Sequence, residues 1–349
     1  MQGCRTGRQL VHVNDAKSPV SLALGLRAGD WVEVRSAAEI LVTLDERGCL
    51  DALPFMPEML KYCGKRFQVF KSAHKACDTI QDHCSRRMDN AVHLMGLRCD
   101  GEAHGGCQAR CLLFWKEAWL KRVSAPALES GSASMRYESA AGVDNPLVDL
   151  GVLARATRRI PDGKEAEERY SCQATTLREA TKPLRWWDPR QYVKDLSSRN
   201  VRPLDLVLYL IIAGFNAVMR LHWRGRPYPY VRGLAGEKTP TEILNLQPGE
   251  LVQVRSKNEI MRTINIHRRN RGLSFDVEMV PYCGRTFRVL SRVEKIIDEK
   301  TGRMIRMPSA CLILEGVTCG GCLSTNRLFC PRSIYPYWHE IWLRRAGQA

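Results

Sequence analysis

Residues 58–67 read EMLKYCGKRF, and residues 278–287 read EMVPYCGRTF. The phrases stand 220 positions apart, and the match extends outward from both without a gap. GDWVEVRSAAEI (29–40) falls on GELVQVRSKNEI (249–260), Phe55 on Phe275, Gly96 on Gly316 and Cys99 on Cys319. Beyond that loop the offset becomes 223, and CQARCLLFWKEAWLKR (107–122) falls on CPRSIYPYWHEIWLRR (330–345). Self-similarity on this scale reads as an internal duplication, and it sets the architecture before any single motif does.

Each copy reads mainly as strand. DWVEVRS and ELVQVRS alternate with period two, as do RFQVFKSA and TFRVLSRV, which suits half-buried strands. Short helical stretches, AAEILVTLD and KNEIMRTIN, lie between them. A hairpin follows in each copy, and EKTGR in the second offers a glycine for a positive-φ turn position. FWKEAWLKR closes the first copy as a last strand or a helical turn. The fold class expected is α+β, mainly β, with two small SH3-like antiparallel β-barrels and a helical segment between them. The boundaries expected are an N-terminal arm (1–24), copy one (25–123), a linker (124–187), a helical unit (188–232) and copy two (233–349).

Two resemblances accompany these residues. G-x-x-V-x-V followed by G-x-x-F-x-V is similar to small SH3-like barrels, including the KOW type of translation and transcription proteins. DPRQYVKDL (188–196), NLQPGELVQVRSKNEI and IYPYWHEIWL resemble an uncharacterised bacterial protein family often met among polysaccharide or secondary-metabolite genes. That second resemblance implies no activity and no site residues.

The 349-residue chain is 44% hydrophobic and 26% charged, a globular rather than a disordered composition. Its net charge of +16 favours an anionic partner, whether nucleic acid, an acidic protein or carrier, or anionic lipid; a solvated basic surface is the plain alternative. MQGCRTGRQL contains no apolar run of signal-peptide length, so a cytoplasmic, reducing setting is expected, with membrane association open. The uncharged run LVLYLIIAGFNAVM (206–219) is short of the roughly 20 residues that span a bilayer. Leu204, Leu208, Ile211, Phe215 and Met219 make a helical stripe, expected to pack in the core or against another element. Peripheral membrane contact through 203–223 is the alternative, because Arg220, Arg224 and Arg226 follow with Trp223, Tyr228 and Tyr230 among them.

Fourteen cysteines in a reducing compartment point to metal ligands, reactive thiols or buried small hydrophobes. Three positions match between copies: Cys63 with Cys283, Cys99 with Cys319, and Cys107 with Cys330. A fourth is swapped, since Cys77 falls on Ile297 and Cys311 on Ala91, the two arms of one hairpin. Zinc accepts four thiolates at about 2.3 Å from any backbone positions whose sulfurs converge. Two zinc sites are therefore expected: Cys63, Cys77, Cys99 and Cys107, and Cys283, Cys311, Cys319 and Cys330. Cys111, His104 and Cys322 stand as alternates, and an iron–sulfur cluster is the other four-thiolate reading. Cys4, Cys49, Cys84 and Cys172 read as lone thiols. Glu58 and Glu278 recur in F-x-x-E-M and read as structural hydrogen-bonding groups or caps.

No Ser-His-Asp arrangement assembles from the sequence. Arg268, Arg269 and Arg271 in HRRNRG, with Arg224 and Arg226 in LHWRGRPYPYVRG, are the anion-binding candidates; arginine interleaved with aromatic residues suits stacking on bases. The function expected is a non-enzymatic, zinc-stabilised tandem barrel that binds an anionic partner through basic loops. The alternatives are a metal- or thiol-dependent enzyme and a membrane-docked accessory protein of a polysaccharide or secondary-metabolite pathway.

Overall fold

The computed structural model describes residues 23–80, 84–125, 150–159, 168–222 and 225–347. Cys4, Trp223 and Arg224 lie outside these residues. The chain is α+β and mainly β, as expected, with 19 strands among the described residues, all paired antiparallel.

The N-terminal half contains β1 (Trp31–Val34), β2 (Arg66–Ser72), β3 (Lys75–Cys77), β4 (Ser85–Arg87), β5 (Ala91–Arg98), β6 (Leu112–Lys116) and β7 (Leu120–Val123). Helices α1 (Pro189–Ser197) and α2 (Pro203–Leu221) follow. The C-terminal half contains β8 (Leu251–Val254), β9 (Thr286–Ile297), β10 (Met304–Leu314), β11 (Trp338–His339) and β12 (Leu343–Arg345). The main sheets have the same order, β6-β5-β2-β1-β7 in one half and β11-β10-β9-β8-β12 in the other.

The correspondence extends to single residues. Val32 pairs with Phe67, and Val252 with Phe287. β2 carries a bulge between Val69 and Lys71, and β9 carries one between Val289 and Ser291. A bulge adds local twist, so one strand serves two ladders and the sheet coils around its core. Ser36 and Glu39 form a capping box on one short helix, and Ser256 and Glu259 form its equivalent. Phe55 meets Trp115 and Trp119 edge-on, and Phe275 meets Trp338 and Trp342 in the same way. The indole N–H of Trp119 donates to Thr43, and that of Trp342 to Thr263.

The two Tyr-Cys-Gly phrases end short 3₁₀ helices. Gly64 (φ 73°) and Gly284 (φ 78°) take the left-handed conformation, and their N–H groups donate to Val34 and Val254. The phrase therefore turns the chain from the helix into β2 or β9, as its glycine suggests.

The hairpins differ. β9 and β10 run 12 and 11 residues as one continuous pair. In the N-terminal half the ladder breaks after Ser72, and β3 and β4 form a separate sheet with Lys182–Pro183. Residues 168–184, expected as linker, instead complete the N-terminal half. Leu177 is buried there, and Gln173 bonds both the N–H and the C=O of Phe114.

Each hairpin reaches the other half. The Cys77 N–H donates to Cys330 Sγ at 3.2 Å, and the Ile297 N–H donates to Cys107 Sγ at 3.3 Å. Position 77 corresponds to 297 and position 330 to 107, so the halves exchange equivalent contacts. Arg332 donates to the Cys77 carbonyl and pairs with Glu299, while Arg98 donates to the Ser333 carbonyl.

Candidate metal centre

Glu58, Cys99 and His104 converge in the N-terminal half, with one donor atom from each within 4.8 Å of the others. Glu58 comes from the 3₁₀ helix ahead of Cys63, Cys99 from the residue after β5, and His104 from the turn beyond it. Cys99 donates its S–H to Glu58 Oε1 at 2.9 Å, and His104 Nδ1 lies 3.1 Å from the same oxygen.

The imidazole orientation is informative. His104 Nε2 sits 3.2 Å from the Ser171 carbonyl, which can only accept, so Nε2 carries a proton. In the neutral ring, Nδ1 then presents its lone pair toward a carboxylate. Glu58 Oε2 is buried without a hydrogen-bond partner, and Nδ1 has none but the Glu58 carboxylate it faces. Two facing acceptors call for a proton or a cation between them, and a backbone carbonyl holding the far nitrogen is how metal-binding histidines are commonly oriented. Burial would raise the Glu58 carboxyl, but His104, when the ring is charged and donates from Nδ1, and the Cys99 thiol hold it below the ordinary carboxylate range. Cys99 is raised, first by burial and then by the Glu58 charge.

Further thiols line the adjoining cavity, of about 50 Å³. Cys99, Cys107, Cys111 and Cys172 border it with His104 and Arg332. Burial pushes the Cys111 thiol up to about 12 and the Cys172 thiol up to about 11, and each also feels the charge of neighbouring thiols. Cys172 directly follows the carbonyl that holds His104. Sequence reasoning missed it because no counterpart exists in the other half and its loop reads as linker.

A second group of thiols sits in the Cys319–Cys330 loop of the C-terminal half. The Cys77 thiol, from the other half, bonds Cys330, which raises Cys77 above the usual range. Against burial, that bond together with Arg332 holds Cys330 below it. Cys319, pushed up to about 12 mainly by burial, couples to both. Cys322 completes the Cys-Gly-Gly-Cys turn, and burial raises its thiol to about 11. Equivalent glycines shape both loops: a Cβ on Gly101 would lie 2.1 Å from the Cys107 carbonyl oxygen, and one on Gly321 would lie 2.7 Å from the Cys330 nitrogen. Both have positive φ, so no other residue allows these approaches.

Cys63, Cys283 and Cys311, also expected as ligands, are not among the donors that converge within 4.8 Å. Cys63 and Cys283 are raised to about 11 by burial and Cys311 to about 12 by burial, and no thiol contributes to any of these shifts. Cys311 pairs with Val293 and His339 across the sheet and packs in an apolar cluster with Ile313. Cys77 does not share a point with the Cys311 arm of an equivalent hairpin, because the hairpin crosses to the opposite half. Glu278 is the structural group expected, accepting the N–H groups of Cys322, Leu323 and Ser324. Its counterpart Glu58 bonds a thiol and faces an imidazole instead.

Arg268, Arg269 and Arg271 are exposed around the Arg269–Ser274 hairpin, and Arg226 is exposed with its guanidinium 5.4 Å from the Tyr230 ring centre. Comparison with known families, with curated proteins and with solved structures finds no match.

Proposed function

We propose that this is an internally duplicated, SH3-like, zinc-stabilised protein without catalytic chemistry, which presents a basic surface to an anionic partner. The common strand order, shared bulge and equivalent capping boxes support the duplication. The observation that carries the metal reading is the buried convergence of Glu58, Cys99 and His104 donor atoms, with Glu58 Oε2 left without a hydrogen-bond partner.

In this reading one zinc ion takes Cys99 Sγ, His104 Nδ1, Glu58 and Cys172 Sγ, a donor set typical of zinc. A second takes Cys77, Cys319 and Cys330, which interact with one another, with Cys322, now packed toward α2, moving in as the fourth thiolate on metal binding. Four thiolates around Zn²⁺ carry a net charge of about −2, and Arg327 and Arg332 lie where they compensate it. The guanidinium of Arg332 feels both Cys77 and Cys330, and that of Arg327 feels Cys319 and Cys77. With four protein ligands each, both sites would be closed, which favours a structural over a catalytic role.

Cobalt(II) titration of the chelator-stripped chain tests this. A thiolate-to-cobalt charge-transfer band that saturates near two equivalents is expected, with Cys99→Ser removing about a third of it and Cys330→Ser about two thirds, in proportion to the thiolates of each site. Absence of that band sinks the metal reading. The partner reading predicts that Arg226, Arg268, Arg269 and Arg271, changed together to Ala, release the chain from a heparin column at lower salt. Unchanged elution would remove those arginines from the account.

A further inference from the structure

α2 is a 19-residue helix with mean hydropathy 1.8 over its most apolar window, yet only 17% of that window is buried. The few buried side chains, Leu206, Ala213 and Asn216, face the Cys319–Cys330 loop, where Leu206 and Ala213 pack with Leu328 and Phe329. The opposite face is solvent-exposed and almost wholly apolar. Leu204 is 83% exposed, Ile211 64% and Leu221 86%, and Leu208, Phe215 and Val218 continue the stripe between them. The stripe expected to enter the core thus points outward.

Basic groups gather at the C-terminal end of α2 on its packed side, with Arg220 one turn beyond the buried Asn216. Asn216 bonds the backbone N–H and C=O of Tyr228, which fastens the Arg226–Tyr230 segment against the helix. A cleft of about 340 Å³ opens there, lined by Arg220, Tyr228, Arg268 and Arg327, among others. Asp276 pairs with Arg327, which leaves Arg220 and Arg268 as exposed cations on the flank opposite the apolar stripe, the arrangement of an interfacial helix with a basic polar side. An apolar helical face beside arginine and tyrosine matches a bilayer interface, where acyl chains take the stripe and anionic headgroups take the cations.

We infer that α2 docks the protein onto an anionic lipid surface, lying in the plane of the interface with the Leu204–Leu221 stripe inserted and Arg220, Arg226 and Arg268 on the headgroups. The helix is about 28 Å long at 1.5 Å per residue, enough to cross a bilayer by length alone. Crossing would strip Leu206, Tyr209, Ala213 and Asn216 from the C-terminal half, so the in-plane pose is the one that keeps these contacts. The inference rests on the anionic-partner reading only in naming that partner, and it is independent of the metal reading.

The test is co-sedimentation of the full chain with phosphatidylcholine vesicles and with phosphatidylcholine–phosphatidylserine vesicles, with zinc content and far-UV circular dichroism read on the same samples. Binding to the anionic vesicles, at least about ten-fold weaker to the neutral ones, is expected. Changing Leu208, Ile211 and Phe215 together to Glu should abolish it with unchanged zinc and circular dichroism. The pair Arg220→Glu and Arg268→Glu should remove the preference for anionic lipid. Equal binding to both vesicles, or no binding to either, overturns the inference. So does concentration-dependent self-association without lipid that the triple substitution removes, because the occupant of the face is then a second copy. Retention on a polyanion such as single-stranded RNA without vesicle binding overturns this inference and leaves the anionic-partner reading standing. Failure with both polyanion and vesicles overturns both.

Discussion

His93 lies wholly buried on β5, its Nδ1 2.9 Å from the Leu113 carbonyl and its Nε2 without a hydrogen-bond partner. Burial lowers its pKa to about 3, so the folded protein holds it neutral. In the unfolded chain it protonates near 6.5. Between these values the unfolded state binds the extra proton, so the contribution of His93 to stability is intact above about 6.5 and is lost as pH falls. The expected slope is about 1.4 kcal/mol per pH unit below about pH 6. Urea denaturation at pH 7, 6 and 5 reads it directly. His93→Asn, which can keep the bond to Leu113, should flatten that dependence; an unchanged slope would assign it to other groups. At the same scale the proposed metal ligands were only partly legible. Cys99 and His104 stood out through the repeat or the loop composition. Glu58 and Cys172 did not, because their role depends on a third residue, His104, and on a loop that packs back over it.

At the scale of the element, α1 is fixed to β3 by a buried ion pair. Lys75 Nζ lies 2.6 Å from Asp195 Oδ2, both side chains being fully buried, and stands over the Tyr192 and Phe329 rings. Burial pushes Lys75 below its usual range, and Asp195 restores only part of that. Asp195→Ala strands the ammonium and should cost about 3–5 kcal/mol in urea denaturation, while Lys75→Met with Asp195→Leu should recover most of it. A single-variant cost under about 1 kcal/mol would mean that the pair does not hold the helix. Neither partner was legible as a pair, since they lie in different units and an ion pair has no periodic signature. α2 shows the complementary limit. Its Pro203 start and its apolar spacing were readable, but spacing defines a stripe and not the side that faces protein. Hydropathy is the same for a core helix and an interfacial one, and only the shape of the Cys319–Cys330 loop decides which face is covered.

For the whole molecule, the recurrence at 220 residues reported strand order and register well, because β2 and β9 meet equivalent partners within their own halves. It reported the hairpin contacts poorly. Repeat alignment places Cys77 and Cys311 on arms of one hairpin, whereas the folded chain sends Cys77 across to Cys330 and leaves Cys311 in an apolar cluster. Contacts between copies leave no trace in an alignment of one copy on the other. The crossing also predicts that the halves do not melt separately. Cys77→Ser, in the N-terminal half, should lower the melting temperature of a single cooperative transition followed by near-UV circular dichroism. Two separated transitions would show that the exchanged contacts do not join the halves.

The central proposal is that Glu58, Cys99, His104 and Cys172 hold one zinc ion and that thiols from both halves hold a second. It is tested most directly by the metal content of the chain purified without added metal, alongside three single variants. About two zinc ions per chain are predicted, falling to about one in Cys77→Ser and in Cys172→Ser and unchanged in Cys283→Ser. A metal-free chain whose fourteen thiols all titrate on unfolding, or a loss of zinc in Cys283→Ser equal to that in Cys77→Ser, would contradict it.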